Sequence, residues 1–131
     1  MTLAPTSEIR NVTGISDQEN QRIRDFLQGA VYCWCKNRND EWFALRDLMG
    51  GPSFDWSATP IIILYKKHIN GGKPQDQAIA DAAKDGGWLL KRVINDDDRA
   101  FETIVEELTR KYRWLRPPVF PTEQEPLREI S

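Results

Sequence analysis

The stretch "DDDRAFETIVEELTRKYRWLRPP", residues 96–118, decides the fold because it is compatible with two secondary structures. Read as a helix, it carries its apolar side chains at offsets of three and four, on one face. That face consists of Phe101, Ile104, Val105, Leu108, Tyr112 and Leu115. The aspartates would then lie at the helix N-terminus and the basic residues near its C-terminus, where the helix dipole favours each charge. The sequence therefore favours a helix here.

The alternative is a β-hairpin over the same residues. Phe101, Thr103 and Val105 would alternate along one strand, and the segment "RKYRW", residues 110–114, would form the other. The turn between them, "EELT" at residues 106–109, contains neither of the residues, glycine and asparagine, that tight hairpin turns prefer. The turn is thus the main argument against the hairpin.

The preceding stretch, "IADAAKDGGWLLKRVIND" at residues 79–96, resembles a helix-turn-helix. Ala83, Gly87 and Val93 have the spacing of the small residue, the turn glycine and the inward β-branched residue that let two helices cross closely. Combined with a C-terminal hairpin, this arrangement would resemble a winged helix. Its second helix, however, is apolar in the middle and ends in three aspartates, which repel phosphate.

Further toward the N-terminus, "SDQE" at residues 16–19 predicts the start of a helix. Ser16 and Glu19 fit a capping box, in which each side chain binds the backbone N–H of the other residue. The helix should run from about Asp17 to Asn37. Its inward stripe is predicted to be Ile23, Phe26, Leu27, Ala30, Val31 and Trp34.

The two cysteines flank a tryptophan in "VYCWCKNRND", residues 31–40. On a helix, Cys33 and Cys35 are about 200° apart around the axis, since each residue advances by about 100°. Their sulfurs therefore cannot bind one metal ion together, and the local geometry also opposes a disulfide. Both cysteines are predicted to be structural.

Three Gly-Gly pairs are predicted to mark the ends of helices, because glycine readily adopts the left-handed conformation that closes a helix. They are Gly50–Gly51, Gly71–Gly72 and Gly86–Gly87. Thr59, which precedes a proline, predicts a helix start, and Pro74 predicts another.

The segment "NDEWFALRDLMGG", residues 39–51, has two interpretations. It is either a short helix capped by Asn39 or Asp40, or an extended piece at Trp42–Phe43 followed by a helix that begins near Leu45. The sequence leaves both open.

Together these patterns predict a mainly α fold of about five to six helices with a small C-terminal β-hairpin as the uncertain element. The alternative is a winged-helix-like α+β fold. We expect a single globular domain over residues 16–116, a flexible N-terminus over residues 1–15 and a flexible Pro-rich tail over residues 117–131.

Composition narrows the functional classes. The chain has 131 residues, a net charge of −2 and a pI near 5.4, which give no overall attraction to nucleic acid or anionic membranes. The longest apolar run, Ile61 to Tyr65, is far too short to cross a bilayer. The N-terminus does not resemble a signal peptide, and two nearby cysteines do not form a secreted disulfide framework. We expect a cytoplasmic protein that does not bind membranes.

Candidate catalytic groups are few. His68 is the only histidine, and no local motif supplies it with a partner. The acidic run Asp96–Asp98 lacks the alternation and the glycine of a calcium loop. No phosphate-binding glycine motif is present. We therefore expect no catalytic residue, no metal site and no cofactor, and predict that the protein is not an enzyme.

Two kinds of binding residue remain. Basic residues around the end of the chain are candidate nucleic-acid contacts. They are Lys91, Arg92, Arg110, Lys111, Arg113 and Arg116. Aromatic residues in a loop or among cations, namely Phe54, Trp56 and Trp114, are candidate anchors of a protein interface.

The resulting functional prediction is a non-catalytic intracellular accessory or regulatory protein that acts through protein–protein contacts. The alternative is a nucleic-acid-binding regulator of the winged-helix or helix-turn-helix type. The sequence does not identify the partner.

Overall fold

A computed structural model describes residues 2–4, 8–38, 40–51 and 55–116 of the chain. Over these ranges the structure has four helices and three strands. In chain order they are β1 (Thr2–Leu3), α1 (Asp17–Asn37), α2 (Leu45–Leu48), α3 (Ile62–Asn70), α4 (Gln75–Asp96), β2 (Phe101–Glu106) and β3 (Thr109–Trp114). The prediction of a mainly helical fold with a small C-terminal hairpin is confirmed, with slightly fewer helices than expected.

The C-terminal stretch forms the hairpin, so the helix that its sequence favours is wrong. β2 and β3 pair antiparallel from Phe101 opposite Trp114 to Glu106 opposite Thr109. The two residues between them, Glu107 and Leu108, have φ angles of 50° and 65°. This is the left-handed geometry that tight hairpins require, adopted here without glycine or asparagine.

Tertiary packing explains why the hairpin forms in spite of its turn. Phe101, Thr103 and Tyr112 are all buried on one face of the two strands. The Phe43 ring packs against that face, with its centroid 6.3 Å from the Phe101 ring and 6.0 Å from the Tyr112 ring. A period of two therefore buries these residues against the helices, and long-range burial outweighs the local turn preference.

Residues before α2 extend the sheet. The strand order is β1–β2–β3, and Phe43 forms an isolated bridge to Tyr112. Each residue of this bridge donates its N–H to the carbonyl of the other at 2.8 Å. α2 then starts at Leu45, with the Asp47 carboxylate accepting from the N–H of Ala44 at 2.7 Å. Of the two interpretations of this segment, the extended piece followed by a helix is the correct one.

The first helix agrees with its predicted bounds, and the capping box of Ser16 and Glu19 is present. Its buried residues recur every fourth position and are Ile23, Leu27, Val31 and Cys35. Cys35, rather than Trp34, is therefore the last inward residue. Trp34 is half-buried and donates its indole N–H to the carbonyl of Glu41 at 3.2 Å.

Two of the three predicted boundaries around α3 and α4 are confirmed. Gly71–Gly72 follows the end of α3, and Pro74 precedes the first residue of α4. The start predicted at Thr59 is wrong, since α3 begins at Ile62 and the Thr59 hydroxyl donates to the Trp56 carbonyl instead of capping a helix.

The third glycine pair does not end a helix. α4 continues through Gly86–Gly87 to Asp96, so the helix-turn-helix predicted around Gly87 is absent from this stretch. Gly86 has a different role, because a Cβ atom there would lie 2.6 Å from Cδ2 of Leu45. The missing side chain lets α2 approach α4 closely.

The N-terminal segment takes part in both the sheet and the core. In the N-terminal segment, β1 pairs with β2 and Val12 joins the buried core. The flexibility expected for residues 1–15 stays a prediction, and the tail expected at residues 117–131 lies outside the described residues. Of the helices in the described ranges, none combines the length and apolar character needed to cross a membrane.

Candidate functional site

A cavity of about 630 Å³ lies between α2, α4 and the tip of the β2–β3 hairpin. We call it the α4 groove. Apolar side chains from all three elements line it. They are Leu45 and Met49 beside α2, Ile79 and Trp88 on α4, and Leu108 and Tyr112 on the hairpin.

Small residues on α4 keep the groove open. Ala83 is exposed and Gly87 is half-buried, and both line the cavity one helical turn apart. A Cβ atom built on Gly87 would have no heavy atom within 4 Å, so this side of α4 faces open space.

Among the residues that the structure describes, the charged ones that line the groove are all basic. They are Arg46, Lys84, Lys91 and Arg110. They come from α2, α4 and β3, so their proximity is a product of the fold and not of a run in the sequence. An apolar cavity with several cations suits a ligand that is partly apolar and partly anionic.

Lys91 is the most buried of these cations, with only 5% of its surface exposed. Its Nζ lies 5.2 Å from the centroid of the Trp88 ring. Burial lowers the pKa of the Lys91 amine from its usual value, and the field of Arg110 lowers it further. Lys91 was predicted from the sequence as a nucleic-acid contact. In the structure it is a partly desolvated ammonium group at the base of an apolar groove.

Leu108 lies at the opposite limit of exposure. It is 99% exposed at the hairpin tip, where it forms one rim of the groove. Its φ of 65° places a branched apolar side chain in the left-handed region, which costs about 1–2 kcal/mol relative to the favoured conformations. Val105, on the same end of the hairpin, is also exposed.

The other candidate nucleic-acid contacts do not form one surface. Lys111 pairs with Glu106 at 2.9 Å, and Arg113 pairs with Glu102 at 2.8 Å. Because side chains alternate along a strand, these two lie on the face of β3 opposite to Arg110. Their charges are therefore largely offset within the hairpin.

The remaining two basic candidates lie at other places. Arg92 donates to the side chain of Asn11 at 3.0 Å, and Arg116 donates to the carbonyl of Cys35 at 3.1 Å. Of the six candidates, the structure brings only Lys91 and Arg110 together in the groove.

The three aromatic interface candidates also separate. Phe54 lies outside the described residues. Trp56 is 5% exposed and packs in the core, so it is not presented as a surface anchor, although its ring contributes to the groove lining. Trp114 is half-buried between two guanidinium groups, with its centroid 5.3 Å from Arg99 and 4.1 Å from Arg116.

A second charged cluster joins α3 to α4 outside the groove. His68 Nε2 lies 2.8 Å from Asp85 Oδ2, and Lys73 Nζ lies 3.0 Å from His68 Nδ1. An ammonium group can only donate, so Nδ1 accepts and Nε2 carries the proton that is donated to Asp85. Lys67 also pairs with Asp85, at 2.9 Å. The imidazole thus links α3 to α4 through Asp85, and to the segment between the two helices through Lys73.

Asp97, in the acidic run after α4, forms contacts that stabilise the fold. Asp97 accepts from the Arg99 guanidinium at 2.8 Å and from the Gln28 amide at 2.8 Å. Burial raises the pKa of the Asp97 carboxyl, but these hydrogen bonds outweigh that effect and the net shift is downward. Among the side chains that the structure describes, no group of three or more His, Cys, Asp or Glu residues could hold a metal ion.

The cysteines occupy different environments on α1, where Cys33 is exposed and Cys35 is buried, both as free thiols. Burial raises the pKa of the Cys35 thiol, which keeps it protonated near neutral pH. The helical separation predicted for the pair is therefore present.

Sequence reasoning missed Arg46, Lys84 and Leu108. Only the small residues Ala83 and Gly87 carried a local signal, since two small residues on one helix face mark a place of close approach. That signal was assigned to a turn between helices.

Comparisons with known proteins add no further constraint. No model of a protein family matches the chain. Neither the curated proteins nor the solved structures include a significant match.

Proposed function

We propose that this protein is a non-catalytic accessory or regulatory protein that binds a segment of a partner protein in the α4 groove. The groove volume of about 630 Å³ falls within the range of roughly 300–1,000 Å³ that is usual for binding pockets. Its lining is mostly apolar, with a few charged groups, as in grooves that accept amphipathic segments.

The observation that carries this proposal is Leu108. A leucine at this turn position is less stable than glycine or asparagine, and it gains nothing from burial in the free chain. Backbone strain of this kind tends to be retained at functional positions. Contact with a partner at the rim of the groove would bury Leu108 and account for its presence there.

A nucleic-acid role is the second candidate. The specific observation in its favour is the order of elements, in which α3, a short turn and α4 are followed directly by a hairpin, as in winged helices. The charge distribution favours it less, because α4 carries Asp76, Asp81 and Asp85 along its first half, and the hairpin cations Lys111 and Arg113 are paired with glutamates.

A matched pair of substitutions tests the groove. Ala83→Glu places a carboxylate and added bulk in the groove, at an exposed helical position that tolerates glutamate. Ala80→Glu makes the same change at an exposed position of α4 that does not line the groove. A phage-display library of short random peptides is selected against the unmodified chain, and the binders are then titrated against both variants.

Peptides that bind the unmodified chain and Ala80→Glu equally, but bind Ala83→Glu at least about tenfold more weakly, would support the groove as the binding site. Binders that fail to distinguish the two variants would refute it. In a parallel fluorescence-anisotropy titration at low salt, double-stranded DNA that binds tightly and is lost in Arg110→Gln would favour the second candidate instead.

A further inference from the structure

We infer that the α4 groove selects segments in which a carboxylate adjoins an apolar or aromatic side chain, and that Lys91 and Arg110 receive the carboxylate. This inference rests on the proposed function, since it names the chemistry of the segment that the groove accepts.

The first step concerns unbalanced charge. Within the described ranges, no ion pair involves Arg46, Lys84 or Arg110. Basic side chains on the opposite face of the hairpin, by contrast, pair with glutamates, and the chain as a whole is acidic. Within the described residues, these three cations therefore have no carboxylate partner, although the chain contains more acidic than basic residues. An anionic ligand would supply such a partner.

The second step concerns Lys91. Only 5% of the residue is exposed, and its ammonium group lies within the field of a second cation, Arg110. Both conditions disfavour the charged form of the amine. The Glu8 carboxylate acts in the opposite direction but does not outweigh them. A carboxylate bound in the groove beside the amine would favour its charged form further and would add a charge-assisted hydrogen bond.

The third step concerns the apolar neighbours. The Lys91 amine lies 5.2 Å from the Trp88 ring centroid, and Met49 and Leu108 line the same cavity. A carboxylate that reaches Lys91 would bring its flanking residues against these side chains. Burial of an apolar or aromatic anchor there would add to the affinity. The expected segment therefore combines an acid with an adjacent hydrophobic residue.

The arrangement suits such a segment better than a phosphate backbone. Nucleic-acid surfaces distribute cations along an exposed stripe or groove that follows the backbone. Here the cations converge around an apolar cavity, and one of them is nearly inaccessible to a bulky polyanion. A single carboxylate on a slender side chain or at a chain terminus can reach that position.

The test uses the peptides selected from the display library and a matched pair of lysine variants. Lys91→Met removes the buried charge while keeping the volume, and Lys66→Met removes an exposed lysine of α3 that does not line the groove. Each selected peptide is synthesised with its acid intact, with the acid changed to the corresponding amide, and with an amidated C-terminus. The two peptide changes show whether the carboxylate comes from a side chain or from the terminus.

We expect the selected peptides to be enriched in aspartate or glutamate, or in a free terminal carboxylate, beside a large apolar residue. Loss of that carboxylate should weaken binding to the unmodified chain and to Lys66→Met by about tenfold, the effect of one charge-assisted contact. The same loss should have little effect on binding to Lys91→Met, because the receiving cation is gone. Arg110→Gln is a second variant, in which loss of the peptide carboxylate should also weaken binding less than in the unmodified chain. It replaces Lys91→Met if that protein does not fold.

Failure of the inference is distinguishable from failure of the proposed function. Peptides that depend on the groove, as judged by Ala83→Glu, but show no preference for a carboxylate would overturn the inference and leave the proposed function standing. A carboxylate effect of equal size in the unmodified chain and in Lys91→Met and Arg110→Gln would also overturn it. The absence of any groove-dependent peptide would overturn both.

Discussion

At the scale of single residues, Lys91 illustrates how a local pattern can mislead about environment. In the sequence it stands beside Arg92 and looks like half of an exposed basic pair. In the structure its place on α4 turns it toward the base of the groove, where it is almost fully buried. Its long methylene chain tolerates apolar surroundings, but its charged end does so only at a cost in free energy.

We predict that Lys91→Met raises the free energy of unfolding at neutral pH by about 1 kcal/mol, because the surroundings of Lys91, taken together, disfavour its charged form. Chemical denaturation measures the change, and Lys66→Met should alter stability little, because exposed substitutions away from special features have small effects. A clear loss of stability in Lys91→Met would show that the buried ammonium stabilises the fold.

The pH dependence of this difference follows from the direction of the pKa shift. Burial holds the folded-state pKa of Lys91 below its ordinary value near 10.5. The unfolded chain therefore binds more protons between these two pKa values, and the stability of the unmodified protein gains from rising pH in that window. The advantage of Lys91→Met should be full below the folded-state pKa and should shrink as the pH approaches 10.5.

Other residues could be placed from sequence because their role is local. The capping box of Ser16 and Glu19 involves two residues three positions apart, so the sequence alone contains both partners. The burial of Lys91 and the exposure of Ala83 depend on which elements pack beside α4. No pattern within α4 contains that information.

At the scale of secondary-structure elements, the two glycines in the middle of α4 make a matched pair. Gly86 faces α2, and a Cβ atom there would lie 2.6 Å from Leu45 and 3.4 Å from Ile61. Gly87 faces the groove, where a Cβ atom would meet nothing within 4 Å. Adjacent positions on a helix thus have opposite steric demands.

We predict that Gly87→Ala raises the free energy of unfolding by roughly 0.5–1 kcal/mol, since alanine is the better helix former. Gly86→Ala should be less stable than Gly87→Ala by about 1–3 kcal/mol, because the added methyl group must displace Leu45 from its packed position. Thermal unfolding of the two variants measures the difference. Equal stabilisation by both substitutions would contradict the close contact between α2 and α4.

The hairpin tip offers a second matched pair, because Glu107 and Leu108 share the left-handed conformation but differ in side chain. Glycine at either position should raise the free energy of unfolding by about 1 kcal/mol through relief of backbone strain. Only Leu108→Gly should weaken the groove-dependent peptides, since it alone removes the apolar rim. Unfolding measurements and peptide titrations on both variants test this. Unchanged peptide affinity in Leu108→Gly would remove the main support for the proposed function.

The same tip explains why the sequence favours the wrong element. Residues 101–115 satisfy a helical pattern and complement a helix dipole, and their turn lacks the residues that a hairpin prefers. The deciding contacts are those of Phe101 and Tyr112 with Phe43, which lies before α2. Because Phe43 is distant in sequence, no local pattern could weigh this packing against the turn.

At the scale of the whole molecule, sequence patterns predicted a mainly helical fold with a possible small C-terminal hairpin. The described residues contain both. Neither composition nor local patterns could predict the candidate site, because Arg46, Lys84 and Arg110 come from three separate elements. Net charge is also a poor guide here, since a chain of net charge −2 concentrates several cations in one cavity.

The bridge between Phe43 and Tyr112 has a consequence for synthesis of the protein. Synthesis proceeds from the N-terminus, so α2 and α4 leave the ribosome before the hairpin, and a growing chain carries one side of the groove without its rim. The site becomes complete only after β3 has emerged and paired with Phe43, which is distant in sequence, so it forms later than the helices, which need only local contacts. A partner that depends on the groove would therefore engage chains in which the hairpin has folded and pass over those in which it has not.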